Sequence, residues 1–211
     1  MVARWVGSVL VSTVIAAGVA QGAAAQMTAT LEPMAGLNLA RVEGEGTDDL
    51  SSRTGWLAGV ALGLNLSPRF TIQPGVVYTF KGAKENDSQG VEQGTFTFKY
   101  IQIPVLAQIR FPGTSNFTPF ITLGPALGIE AGCTLKEVDG ESSDCADEPD
   151  FPGLKSTDLT VIGGAGVDFG SVTLALRYDY GISGILDESD EDKAYNRVLS
   201  VVAGFKIRLS R

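Results

Sequence analysis

Histidine is absent from all 211 residues, and cysteine and tryptophan occur only twice each. Without an imidazole there is no ordinary general base near neutral pH, which excludes hydrolases built on a Ser–His or Cys–His pair. Two thiols alone do not complete a zinc shell. Basic residues are in deficit, 16 against 24 acidic ones, for a net charge of −8. A nucleic-acid surface needs the opposite balance. After residue 25 no apolar run is long enough for a membrane-spanning helix. The glycine-rich stretch Gly163-Gly164-Ala165-Gly166 lies inside an alternating segment with no helix after it, so it is not a phosphate loop. The expectation is no enzyme, no cofactor, no metal and no nucleic-acid partner.

What is present is alternation. Apolar residues recur at every second position over eight stretches: β1 at 29–40, β2 at 55–66, β3 at 69–80, β4 at 97–111, β5 at 117–131, β6 at 158–169, β7 at 171–181 and β8 at 197–209. Tight connections fall at Leu66–Arg69, Phe111–Asn116 and Phe169–Ser171. Long ones fill 41–54, 81–95, 132–157 and 182–196. Short turns at one end and long loops at the other are the pattern of a bacterial outer-membrane barrel. The expected fold is all-β, an eight-stranded antiparallel up-and-down transmembrane barrel. Residues 1–25 read as a secretory signal, with Arg4 in the charged region, Val6–Val19 as the apolar stretch and Ala23–Ala25 before the cleavage point. Residues 26–211 form the barrel domain, placed in the outer membrane after export through the periplasm.

Parity sorts lipid from lumen, because successive strand side chains point to opposite faces. On β7, Val172, Leu174, Leu176, Tyr178 and Tyr180 face lipid. On β4, Ile101, Ile103, Val105, Ala107, Ile109 and Phe111 do so. Eight strands enclose a space only wide enough for side chains, and the opposite faces carry small residues such as Gly59, Ala61, Gly63, Gly124, Ala126, Gly128, Gly164 and Gly166. The same faces carry four acids, Glu32, Glu130, Asp168 and Asp179, and four bases, Arg110, Arg177, Lys206 and Arg208. Charges in a narrow interior are tolerated when paired. This set reads as a network of ion pairs filling the lumen, with a gated ion path as the alternative. Glu32 is expected beside Lys206 and Arg208, where β1 and β8 close on each other. So narrow a lumen has no cleft for the paired carboxylates of a glycosidase. Outward aromatics form two girdles. Phe70, Phe111, Phe117 and Phe169 flank the short turns, and Trp56, Tyr78, Phe80, Tyr178 and Tyr180 flank the long loops. A soluble ligand-binding cup would place its apolar residues inside instead.

The four long loops hold 4, 3, 7 and 5 acidic residues, or 19 of the 24, so the acid is gathered at one end of the barrel and points into water. Oxygen-rich clusters such as Asp139–Asp150 and Asp187–Asp192 suit divalent cations in principle, but no calcium-loop pattern is present. Cys133 and Cys145 share the third long loop, and an even cysteine count in an exported chain suggests one disulfide.

Several segments resemble the PorT-like outer-membrane β-barrel domain family. Lys99-Tyr100-Ile101-Gln102-Ile103-Pro104-Val105-Leu106-Ala107 looks like its "YLEIPLL" signature, and Ile72-Gln73-Pro74-Gly75-Val76-Val77-Tyr78-Thr79-Phe80-Lys81-Gly82 is a second block. Ala35–Ala40, Leu66–Phe70 and Pro119–Ala126 extend the likeness over most of the chain after the signal. The resemblance implies a small porin-like barrel, mostly without assigned activity, some of whose relatives serve protein secretion. The function expected is structural or interactive: a monomer in outer-membrane lipid that presents acidic loops, with protein partners reached through them. A narrow channel and an accessory part of a secretion or envelope machine are the alternatives.

Overall fold

A computed structural model describes residues 28–44, 50–86, 92–114, 116–137, 142–145, 155–184 and 194–209. The signal segment and most of the loop acids lie outside the described residues. Eight long strands follow in chain order: β1 Thr28–Gly44, β2 Leu50–Asn65, β3 Phe70–Asn86, β4 Glu92–Arg110, β5 Thr118–Glu137, β6 Thr157–Phe169, β7 Val172–Gly181 and β8 Ala194–Phe205. After a break at Lys206, β8 resumes over Ile207–Leu209. Each strand pairs antiparallel with the next, and β8 closes on β1 from Gly44↔Ala194 to Ala29↔Leu209. A short strand, Ser142–Asp144, folds back on the upper end of β5.

Closure is required by the surface. Leu37, Leu123, Val201 and Leu176 are more than half exposed, whereas Glu32, Asn38, Gln73, Lys81, Gln108 and Asp158 are buried. An exterior that apolar needs lipid around it, and lipid satisfies no open sheet edge. Leu174, Leu176, Ile103 and Val105 all lie on the outside.

At the short-turn end, Gly170 takes φ +59°, the position that a type II′ hairpin reserves for glycine. At the other end the strands run further than the alternation predicts. β1, β3 and β5 reach Gly44, Asn86 and Glu137. At ~3.3 Å per residue, strands of this length outrun the apolar band of an outer-membrane barrel, about 25 Å tall. The loops expected over 41–54, 81–95 and 132–157 are therefore partly paired strand. Several irregularities sit in this extension, two of them at glycines. Gly82 has φ +131°, and a Cβ there would meet the Phe96 carbonyl oxygen at 2.1 Å. Gly132 has φ +140° beside a bulge in which Lys99 and Tyr100 face Gly132 and Glu130, leaving Ala131 over.

Candidate functional site

The lumen is layered. Near the short turns, Asp168 on β6 is 2.6 Å from Lys206 and 3.4 Å from Arg110. Arg110 also donates to Thr71, Asn65 and Gln108 at 2.7, 3.1 and 3.0 Å, and Thr173 donates to the other Asp168 oxygen at 3.0 Å. The break in β8 contributes here. The Lys206 N–H bonds the Ser171 carbonyl at 2.7 Å, on the β7 side, and its ammonium reaches Asp168.

This arrangement corrects two expectations. Glu32 does not meet Lys206 or Arg208. Its carboxylate accepts from Gln73 at 3.1 Å and lies against Gly204, where a Cβ would come within 2.6 Å. Arg208 is exposed at the end of β8, paired through the backbone with Thr30, and takes no part in the lumen network.

The middle of the lumen is less polar than parity suggests. Met34, Leu57, Ala61, Val77 and Val202 form one buried apolar cluster, and Leu106, Ala126 and Ile162 another. Arg177 is buried with a guanidinium N–H 3.5 Å from the Met34 sulfur. Gln102 donates to Asp179 at 3.1 Å. Asn38 ties four strands together: it donates to Thr79 (2.9 Å), Phe80 O (3.2 Å) and Trp56 O (3.4 Å), and accepts from Ser200 (3.0 Å).

Above this lies a pair that the alternation misses. Lys81 and Asp158 meet at 3.0 Å with no side-chain exposure on either. Asn196 donates to the same Asp158 oxygen at 2.9 Å, and the Lys81 ammonium stands 5.3 Å from the centre of the Tyr100 ring. Lys81 and Asn196 escaped notice because they lie beyond the outer girdle, in segments read as loop. Glu130, half-buried beside the β4–β5 bulge, pairs in register with Tyr100.

The mouth is covered. Cys133 and Cys145 are bonded and buried, packed with Val42, Ala83, Phe98, Tyr100 and Ala194. Those residues come from β1, β3, β4, β5 and β8, so the disulfide is part of an apolar cap drawn from most of the wall. Counting in twos along β5 points Cys133 outward; the bulge that leaves Ala131 over turns it into the lumen, and nothing in the alternation signals that. The outer girdle is a packed cluster, with Trp56–Phe80 ring centres 4.5 Å apart and Tyr78–Phe80 5.2 Å apart. Tyr178 and Tyr180 stand exposed on β7. At the lower girdle Phe117 and Phe169 meet edge to face at 5.3 Å, Phe111 is exposed and Phe70 half-buried. Among the described residues no group of three His, Cys, Asp or Glu side chains is placed to hold a metal ion. The loop acids considered for cations lie outside the described residues, apart from Asp144.

The family model described as outer membrane protein beta-barrel domain matches residues 14–187. The chain belongs to that family. Its barrel sits in the outer membrane, where barrels of this kind turn their short connections to the periplasm and their long loops outward. No curated protein matches the sequence. Among solved structures, Ail, the attachment invasion locus protein of Yersinia pestis, is 16% identical, with a TM-score of 0.45 over 86% of this chain and 100% of that one. Neisserial surface protein A is 17% identical, with a TM-score of 0.48 over 84% and 97%. OprG from Pseudomonas aeruginosa is 12% identical, with a TM-score of 0.46 over 88% and 97%.

Proposed function

We propose that this outer-membrane barrel, of the PorT-like kind, is a free-standing monomer without catalytic activity that acts through its external face. Its role is to hold acidic, disulfide-stapled loops rigidly above the membrane, where they meet protein partners. The observation that carries the reading is the filled and capped lumen: ion pairs below, apolar clusters in the middle, and the Cys133–Cys145 cap above. A barrel spending its interior on packing has its surface left for work. Side chains that stiffen the wall also keep the loop bases in fixed relative positions.

Conductance in planar bilayers tests this directly. The oxidised protein is expected to insert without discrete current steps. Steady ohmic steps from the oxidised wild type would overturn the reading in favour of the narrow channel.

A further inference from the structure

Asp158 stands between an amine and an amide. Its Oδ2 accepts from the Lys81 ammonium at 3.0 Å and from the Asn196 side-chain amide at 2.9 Å. The three residues come from β3, β6 and β8. All are buried, Lys81 and Asp158 with no side-chain exposure and Asn196 at 1%. The buried Tyr100 ring lies 5.3 Å from the Lys81 ammonium, and the Cys133–Cys145 cap packs with Tyr100. A primary amine and a carboxamide are thus held on one shared oxygen, away from water. Asp168 at the short-turn end differs, taking two cations and a hydroxyl.

Two atoms of the group are left over. Asp158 Oδ1 and Asn196 Oδ1 are buried, and neither has a hydrogen-bond partner among the described residues. Both are acceptors, so the group is short of a donor. Moving one proton from Lys81 to Asp158 creates one. The carboxylic acid can then donate to Asn196 Oδ1 once the amide turns over, its two ends being nearly alike in shape. The same move leaves Lys81 an amine with a free lone pair, and no net charge arises in the dry site.

We propose that Lys81 and Asn196 join in an intramolecular isopeptide bond, with Asp158 as the acid–base group. The Lys81 Nζ lone pair attacks Asn196 Cγ, and the carbonyl π pair moves onto Oδ1, which takes the Asp158 proton. Asp158 then takes a proton from Nζ and passes it to Nδ2. The Cγ–Nδ2 bond breaks, ammonia leaves, and the Oδ1 proton returns to Asp158 as the carbonyl re-forms. One amine and one carboxamide become one secondary amide and one ammonia, with no oxidant or co-reactant. A positioned carboxyl is suited to this proton transfer, and holding both reactants on one oxygen removes much of the entropic cost of their meeting. Asn196 is the electrophile, because a carboxylate resists a nucleophile and Asp158 is needed as the base. The bond ties β3 to β8 across the mouth and encloses β4–β7 in one covalent ring. It forms once per chain and is independent of what the loops meet. Before it forms, Lys81 and Asp158 are an ordinary buried ion pair, with the energetics of the unlinked chain.

The test is intact mass spectrometry of the barrel extracted from outer membranes, reduced and denatured, beside the same chain recovered unfolded from inclusion bodies. The unfolded chain is expected at its sequence mass, and the folded one lighter by one ammonia. Trypsin is expected to leave Lys81 uncut, with the peptide Phe70–Lys84 joined to Ala194–Arg197. Asp158→Ala keeps the amine and the amide and is expected to keep its full mass. A folded wild type at full mass would overturn the proposal. So would an ammonia lost within a single peptide, a water lost with Lys81 joined to Asp158, or an intact link in Asp158→Ala. The folded and unfolded wild type decide the matter by themselves where that variant does not fold.

Discussion

The two ends of the lumen handle buried charge differently. At the short-turn end Asp168 is shared by Lys206 and Arg110, and Arg110 has three further acceptors. The side chains there keep 11–15% exposure, although the Lys206 ammonium nitrogen itself is out of contact with solvent. At the long-loop end Lys81 and Asp158 are fully dry. Asp158 offers one oxygen to both Lys81 and Asn196, while its other oxygen has no partner among the described residues. The lower cluster is redundant, so losing one member leaves the others alternatives. The upper pair depends on both members being present, because a lone charge in a dry interior has no solvent to fall back on.

That contrast is sharpest in Lys81→Met. Removing one partner of a buried pair costs about 3–5 kcal/mol, mostly because the other charge is stranded. Urea unfolding in detergent micelles should show a loss of that size, and the heat-modifiable gel shift should occur at lower temperature. The double variant Lys81→Met/Asp158→Asn should recover more than half of the loss. A single-variant cost below about 1 kcal/mol would mean that the upper pair is wetter than its burial indicates. The cap comes next. Replacing Cys133 and Cys145 together by serine should cost up to about 3 kcal/mol on the chain-entropy account of a loop of this size. Reductant should reproduce the effect in the wild type and leave the serine variant unchanged.

The lower end of the barrel was legible in the sequence and the upper end was not, for a physical reason. Tight turns anchor parity. Once Phe169–Ser171 and Phe111–Asn116 are placed, the inward positions of Asp168 and Arg110 follow by counting in twos. Above the outer girdle nothing in the composition marks where pairing stops. Lys81, Gly82 and Ala83 look like loop, yet they continue β3, with Gly82 making a turn of backbone that alternation does not encode. The β4–β5 bulge likewise shifts register at Lys99/Tyr100. The apolar clusters around Leu57 and Leu106 were hidden for another reason: in a narrow barrel a large inward residue is allowed wherever its neighbours are alanine or glycine, and parity alone does not weigh volume. Arg208 shows the limit at the open edge. Its parity is inward, but β8 ends there and no wall rises to enclose the side chain.

The smallest effects test whether redundancy protects the lower end. Asp168→Asn keeps a hydrogen-bonding group of nearly the same shape and removes the charge shared by two cations. Arg110 retains Asn65, Thr71 and Gln108, and the Lys206 ammonium, itself out of contact with solvent, keeps the amide oxygen that the substitution leaves. The cost should stay at about 1 kcal/mol, in the range of partly solvated ion pairs, a third or less of that for Lys81→Met in the same unfolding measurement. Arg208→Gln, at an exposed position, should change stability by less than about 0.5 kcal/mol. If Asp168→Asn matched Lys81→Met, two partners would be no safer than one, and the redundancy of the lower cluster would have to be given up as the cause. If instead Arg208→Gln proved the costlier of the two, Arg208 would have to reach inward after all, and the closure of β8 on β1 at Thr30 would carry a charge contact that its exposure argues against.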